Sequence, residues 1–205
     1  MPEREDNWRE ERKSGMGAIA ASMAVSLALW FALYRFLPPL EGMDDLGARM
    51  LVALKCLVFA TLFTLVAGVE AIAHDRLQST AFDPLAGHET RRLRVNLRFL
   101  QNTFEQIVIF AVGLFGLAAY MTGGEAMRAV VATTVVWILN RYAFWIGYHR
   151  SAAMRGLGAP SMAIGLVMLL YVAARIGGDL AGTGGAAVAI GLFVGLEAVL
   201  FLKTR

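Results

Sequence analysis

The sequence predicts an all-α integral membrane protein with six transmembrane spans, and three observations carry that reading. Of 205 residues, 58% are hydrophobic and 17% charged, against roughly 45–50% and 25% in a soluble domain. Such an excess calls for a bilayer as solvent. Six stretches are long and apolar enough to cross, given the roughly 20 residues that a spanning helix needs. Finally, the lysines and arginines between them gather on alternate loops, so every loop agrees on one orientation.

The first stretch, 16–37, is too long for the apolar region of a secretory leader. It ends in "RFLPPLEG" rather than a small-residue cleavage site, so it is expected to be a retained helix. Before it, "PEREDNWREERKSG" mixes both charge signs around Trp8. Two readings stand: a short interfacial helix with Glu5 and Arg9 at i,i+4, and a frayed, solvated tail. The second stretch, 46–73, carries Lys55 about ten residues in, deep for snorkelling, which predicts that it faces the bundle interior. Stretches 99–121 and 126–147 follow, then 160–176, the shortest, and 186–202. In the last, Gly191 and Gly195 have the GxxxG spacing of close helix packing, beside Glu197. The breaks between stretches are polar or glycine-rich: "PPLEGMDD", residues 74–95, "TGGE", "HRSAAMRGLGAP" and "GGDLAGTGG".

With six spans, both termini share a side with the loops after spans two and four. That side holds Arg4, Arg9, Arg12 and Lys13, then Arg76, Arg91, Arg92 and Arg94, then Arg150 and Arg155, then Lys203 and Arg205. The opposite loops hold none, although Arg35, Arg49, Arg128 and Arg175 flank them. By the positive-inside rule both termini are cytoplasmic, in a multi-pass protein of the inner or cell membrane if the source is prokaryotic. Topology thereby accounts for the net charge of +3 and the isoelectric point near 9.3 without nucleic acid as a partner. The single cysteine, Cys56, excludes an intrachain disulfide. His74 and His88 are too sparse for a metal site, which takes three or four convergent ligands. No phosphate loop, dinucleotide fingerprint or nucleophile elbow is present.

Two polar stripes remain to be explained. In "RFLQNTFEQIVIF", Arg98, Asn102 and Glu105 stand at i, i+4 and i+7, within roughly a 60° arc, with Glu105 about 10 Å deeper than Arg98. One reading is an intrahelical stitch, Glu105 neutralised by Arg98 through Asn102. The other is a functional site, the default for ionisable groups inside a membrane. In "NRYAFWIGYHRSAAMRGLG", Arg141, Tyr148 and Arg155 are spaced by seven and share a face if the helix runs past the membrane boundary, with Arg150 nearby. Both stripes meet at the cytoplasmic ends of neighbouring spans. Guanidiniums, an amide, a carboxylate and a phenol together suit a small anionic ligand, because arginine forks grip carboxylates and the glutamate receives an ammonium.

These two motifs resemble the MAPEG family, the membrane-associated proteins of eicosanoid and glutathione metabolism. The first has the family's Arg-x-x-x-Asn-x-x-Glu order at Arg98, Asn102 and Glu105; the second matches its pattern at Arg141, Gly147-Tyr148, Arg150 and Arg155. The resemblance implies a four-helix core over 46–177, flanked by a tail (1–15), an extra N-terminal helix and loop (16–45) and an extra C-terminal helix (178–205). It further implies a homotrimer with sites between protomers, and glutathione as cosubstrate. Arg98, Asn102, Glu105, Arg141 and Arg150 would hold the tripeptide with Tyr148, while Arg155 would stabilise its thiolate. Arg76 is either a further contact or a solvated helix end. Phe144 and Gln106 stand where some members have tyrosines. The implied activity is conjugation of glutathione to apolar electrophiles, or reduction of lipid hydroperoxides, at the membrane. The alternatives are a non-catalytic member of the fold binding an anionic or lipid ligand, and a small transporter.

Overall fold

The computed structural model describes the backbone of residues 2–204 and the side chains of residues 10–204. Helix α1, Pro2–Phe36, ends where Leu37 meets Pro38 and Pro39, which cannot continue it. Its first turns are continuous with the first apolar stretch; the side chains of Glu5, Trp8 and Arg9 lie outside the described residues. Helix α2, Leu46–Thr61, is capped by Asp45, whose carboxylate accepts from Ala48 N at 2.8 Å. A π-helical turn, Leu62–Val66, joins it to α3, Ala67–Leu77. A wide turn leaves a carbonyl free, and the Tyr142 hydroxyl donates to Phe63 O across the bundle at 2.7 Å. Helix α4, Arg91–Tyr120, starts on Thr90, whose hydroxyl accepts from Leu93 N. Helix α5, Gly124–Arg150, is followed by a 3-10 turn, Ala153–Gly158, and then by α6, Ala159–Lys203.

The core is one apolar cluster: Phe110, Leu114 and Ala118 from α4, Met127, Val130 and Trp137 from α5, Ala53 and Ala60 from α2, and Met168 from α6. Phe110 stacks on Trp137 with ring centroids 4.5 Å apart. Small residues set the helix spacing. A methyl group at Gly113 or Gly116 would press on Met168 and Val172, so α4 and α6 lie close because these positions are glycine. Helix α1 packs outside this bundle, on α5, α6 and the 3-10 turn. It is anchored by Ser26 Oγ donating to Asn140 Oδ1 (3.0 Å) and Trp30 Nε1 donating to Thr133 Oγ1 (2.9 Å).

Among the described residues, five helical stretches are long and apolar enough to cross a membrane, and wide apolar surfaces face outward from them. The chain is a multi-pass helical membrane protein. The fifth and sixth expected spans are joined in α6, whose backbone leaves helical geometry at Ala181 and at Gly182, which has φ +60°. Only glycine adopts that conformation without strain. Near this break Gly177 and Gly185 approach so closely that a methyl on either would overlap the other's carbonyl. Gly191 and Gly195 have open space where a methyl would stand, so the close contact expected there is made by a different glycine pair. Lys55 also departs from expectation: it is exposed on the outer face of α2, away from the bundle interior.

Two of the arginines flanking the less basic loops, Arg49 and Arg128, have defined work. The buried Arg49 donates from Nη1 to Met121 O at the end of α4. Arg128 donates to Tyr34 O, near the end of α1, and pairs with Glu125. Cations at helix C-termini satisfy orphan carbonyls and oppose the negative end of the dipole.

Candidate functional site

At the basic end of the bundle, α4, α5, the 3-10 turn and the start of α6 enclose a cleft of about 420 Å³. Its polar lining comes from Arg98, Gln101, Asn102, Glu105 and Gln106 on α4, Tyr148 on α5, and Arg155 on the turn. Phe144 and Met162 supply apolar walls. Of the residues singled out in the sequence, Arg98, Asn102, Glu105, Tyr148 and Arg155 share this space. Arg76, Arg141 and Arg150 do not line it.

The first stripe forms as its spacing predicts, but the stitch takes another route. Arg98 Nη1 donates to Gln101 Oε1 (3.0 Å), and Gln101 Nε2 donates to Glu105 Oε1 (3.3 Å). Asn102 is therefore free of that link. Its Oδ1 accepts from Gln106 Nε2 at 3.2 Å, leaving its own amide N–H groups toward the cleft.

Helix α5 does not run on to Arg155; it stops at Arg150, and Ser151 is extended. Arg155 reaches the cleft because the chain folds back and lays its 3-10 turn against α5. Two glycines permit that contact: a methyl at Gly147 would overlap the Met154 carbonyl, and one at Gly158 would overlap Phe144 Cβ. The heptad spacing thus brought Arg155 to the right place by a different path. Arg150 sits exposed at the end of α5, outside the cleft. Arg76 stays on the last turn of α3 with its Nε buried and unpartnered.

Arg141 lies behind the cleft wall, 0% exposed. Its Nη2 donates to Thr103 Oγ1 (2.8 Å) and its Nη1 to Ser161 Oγ (3.3 Å). The guanidinium lies over the rings of Phe144 (4.7 Å) and Phe99 (5.4 Å). No carboxylate pairs with it among the described residues. A buried cation without a counter-ion is costly. Its field therefore adds to that of Arg98 and Arg155 at the cleft, across the Phe144 ring.

Sequence reasoning missed the connection between cleft and buried arginine. The one hydroxyl hydrogen of Ser161 has two acceptors in reach, Gln106 Oε1 at 2.8 Å and Gly158 O at 2.7 Å, and Gln106 bridges to Asn102. A chain Arg141–Ser161–Gln106–Asn102 thus crosses α5, α6 and α4. The Gln106 amide supplies both a donor and an acceptor to this chain. A second network was also not foreseen. Asn96, 1% exposed, donates to the Asp75 carboxylate and accepts from Trp145 Nε1 at 2.7 Å, with His149 Nε2 at 3.0 Å. Arg92 pairs with Asp75 at 2.8 Å, and Arg91 donates to the carbonyls of Tyr148 and His149. This network ties α3, α4 and α5 at the mouth and holds the end of α5 that carries Tyr148. Only Asn96 stood out in the sequence, polar between Val95 and Leu97; Asp75 and His149 sit among polar neighbours, and the partnership needs three helices to meet.

Fold and site define a class: a multi-pass helical membrane protein with a charged cleft at one end of its bundle. The MAPEG family model matches residues 50–178, well over half the chain, and the protein belongs to that family. No curated protein and no solved structure matches it.

Proposed function

We propose that the protein is a membrane-embedded glutathione-dependent enzyme, activating the glutathione thiolate for attack on apolar electrophiles or lipid hydroperoxides. One observation carries the reading: Arg98, Asn102, Glu105, Tyr148 and Arg155 face one cleft with an unpaired Arg141 behind it. The cleft's volume of about 420 Å³ suits a small ligand. Arg98 and Arg155 against Glu105 leave a charge of +1, and Arg141 raises it to +2. Glutathione as thiolate carries two carboxylates, one thiolate and one ammonium, a net −2. Arg98 takes a carboxylate, Glu105 takes the ammonium, Asn102 presents its amide N–H groups, and Arg155 is left for the sulfur.

Arg155 has no hydrogen-bond or ion-pair partner among the described residues, so its guanidinium is free for the sulfur. A free thiol with pKa near 8.5 is only a few per cent ionised at neutral pH. An adjacent cation in a partly dry site lowers that by about one to three units. The thiolate then attacks a substrate arriving from the bilayer, where apolar electrophiles concentrate. Phe144 and Met162 offer that substrate an apolar wall.

The proposal extends to topology and assembly. A straight helix of 45 residues, the length of α6, would measure about 68 Å, twice the roughly 30 Å hydrocarbon core. The break at Ala181 and Gly182 supports two spans there, hence six in all with both termini cytoplasmic. Lys55, exposed at membrane depth on α2, supports a homotrimer in which a neighbouring protomer covers that face.

A second reading rests on Phe144: an apolar ring where some members carry a hydroxyl suits a site that binds without reacting. Titration of the detergent-purified protein with glutathione, followed by thiolate absorbance and by conjugation of a generic apolar electrophile, separates the two. Thiolate with turnover supports the enzyme. Binding without turnover supports the second reading, and absence of binding overturns both.

A further inference from the structure

A second cleft of about 350 Å³ lies beside the first, between α1 and the 3-10 turn. It is lined by Glu11, Arg12, Met16, Ile19, Ala153 and Arg155, among others. Arg155 and Gly156 belong to both clefts and form the wall between them. The contact that creates it is close: a methyl at Gly156 would press on Gly15 O and Ile19 Cγ1. Most of this cleft comes from α1, which lies outside residues 50–178 matched by the family model.

Charge and apolarity are sorted by depth here. On a helix Arg12, Met16, Ile19 and Met23 fall within roughly a 60° arc, at successive depths of about 0, 6, 10 and 16 Å. Arg12 stands at the basic end; Met16 (59% exposed), Ile19 (40%) and Met23 (41%) continue below it with open apolar surface. Neither Arg12 nor Arg155 has an ion-pair or hydrogen-bond partner among the described residues. With Glu11 on the other flank, the site carries two guanidiniums against one carboxylate, net +1. A monoanionic head at the membrane surface with an acyl chain running down the helix matches this pattern in both charge and depth. That is the layout of a phospholipid whose headgroup carries a phosphodiester.

We propose that this cleft binds an anionic phospholipid, its phosphate gripped by Arg12 and Arg155 and the first part of one acyl chain lying along Met16, Ile19 and Met23. The observations behind this site do not involve glutathione, although it shares Arg155 with the first cleft. It gives α1 a role beyond spanning, and it places a lipid phosphate on the far side of the guanidinium that faces the first cleft.

The test uses the full chain reconstituted in phosphatidylcholine membranes with trace spin-labelled lipids, reading the motionally restricted fraction. Spin-labelled phosphatidylglycerol is expected to be selected over spin-labelled phosphatidylcholine. Arg12→Ala should reduce that preference roughly fivefold, the contribution of one basic residue at a membrane surface. Arg12→Lys should keep most of it. Lys13→Ala, which removes the same charge outside the cleft, should leave it nearly unchanged. Equal losses in Arg12→Ala and Lys13→Ala would reduce the effect to general surface charge and overturn the site, as would no preference in the wild type. A spin-labelled fatty acid selected over phosphatidylglycerol would overturn the phosphodiester assignment. Competition by soluble glycerophosphate as effective as that by whole lipid would overturn the acyl-chain part. Because the wild type and exposed-residue variants are compared by lipid ratio in the same membranes, the result does not depend on catalysis.

Discussion

At the scale of single residues, the proposed function divides the cleft's groups into those that grip and one that activates. Arg155, unpartnered and at the shared wall, is the group free to face a sulfur. Arg155→Ala is expected to leave the glutathione dissociation constant within a few-fold of wild type, while lowering turnover about tenfold or more through lost thiolate. Stopped-flow thiolate absorbance with steady-state conjugation checks this, and an equally active variant removes Arg155 from its role. Glu105 should behave in the opposite way. Its carboxylate already accepts from Gln101, so Glu105→Gln keeps a neighbour and loses only the charge that meets an ammonium. A charge-assisted bond of about 1.5 kcal/mol corresponds to roughly tenfold weaker glutathione binding, readable by calorimetry. An unchanged dissociation constant would count against the assignment. Arg141 is a different kind of residue: among the described residues it meets Thr103, Ser161 and two aromatic faces, so under the proposed function it contributes a field rather than a contact.

At the scale of elements, the 3-10 turn decides whether a site exists. It carries Arg155, closes the first cleft, builds one side of the second, and rests on α5 only because Gly147 and Gly158 lack side chains. Gly158→Leu forces a side chain into Phe144. Overpacking of this kind costs about 1–3 kcal/mol, and here the turn can lift away instead. The variant is expected to insert and keep its helical content by circular dichroism but to lose most glutathione binding; full binding with unchanged helicity would show that the turn is not held by this contact. The Asn96–Asp75–His149 network plays the complementary part, fixing the ends of three helices on the other flank of α5.

At the scale of the whole molecule, the two ends of the chain surround a matched core. Helix α1 docks by one buried and one part-buried hydrogen bond and a glycine approach. The second half of α6 is exposed along most of its length, leaving its apolar faces for lipid or another protomer. The proposed six-span topology makes a direct prediction. In a Cys56→Ser background, a cysteine at Leu180 should react with an impermeant maleimide from outside intact cells, and one at Thr204 only after lysis. Labelling of both positions in intact cells would mean that α6 does not return across the membrane at its break.

Much of this was legible in one dimension. Hydropathy and the placement of arginines suffice for a multi-pass helical membrane protein, because partition into a bilayer depends on composition along each segment. Periodicity sufficed for the Arg98–Asn102–Glu105 stripe, because residues within one helix have a fixed geometric relation. The departures arise where helices meet. Lys55 turned outward, Gln101 took the place expected for Asn102, and Gly177 with Gly185 made the contact expected of Gly191 and Gly195. Arg155 arrived by a reversal of the chain, not by continuing a helix. Which neighbour fills a hydrogen bond or excludes a side chain is set by packing between segments distant in sequence, and only the folded chain brings those segments together.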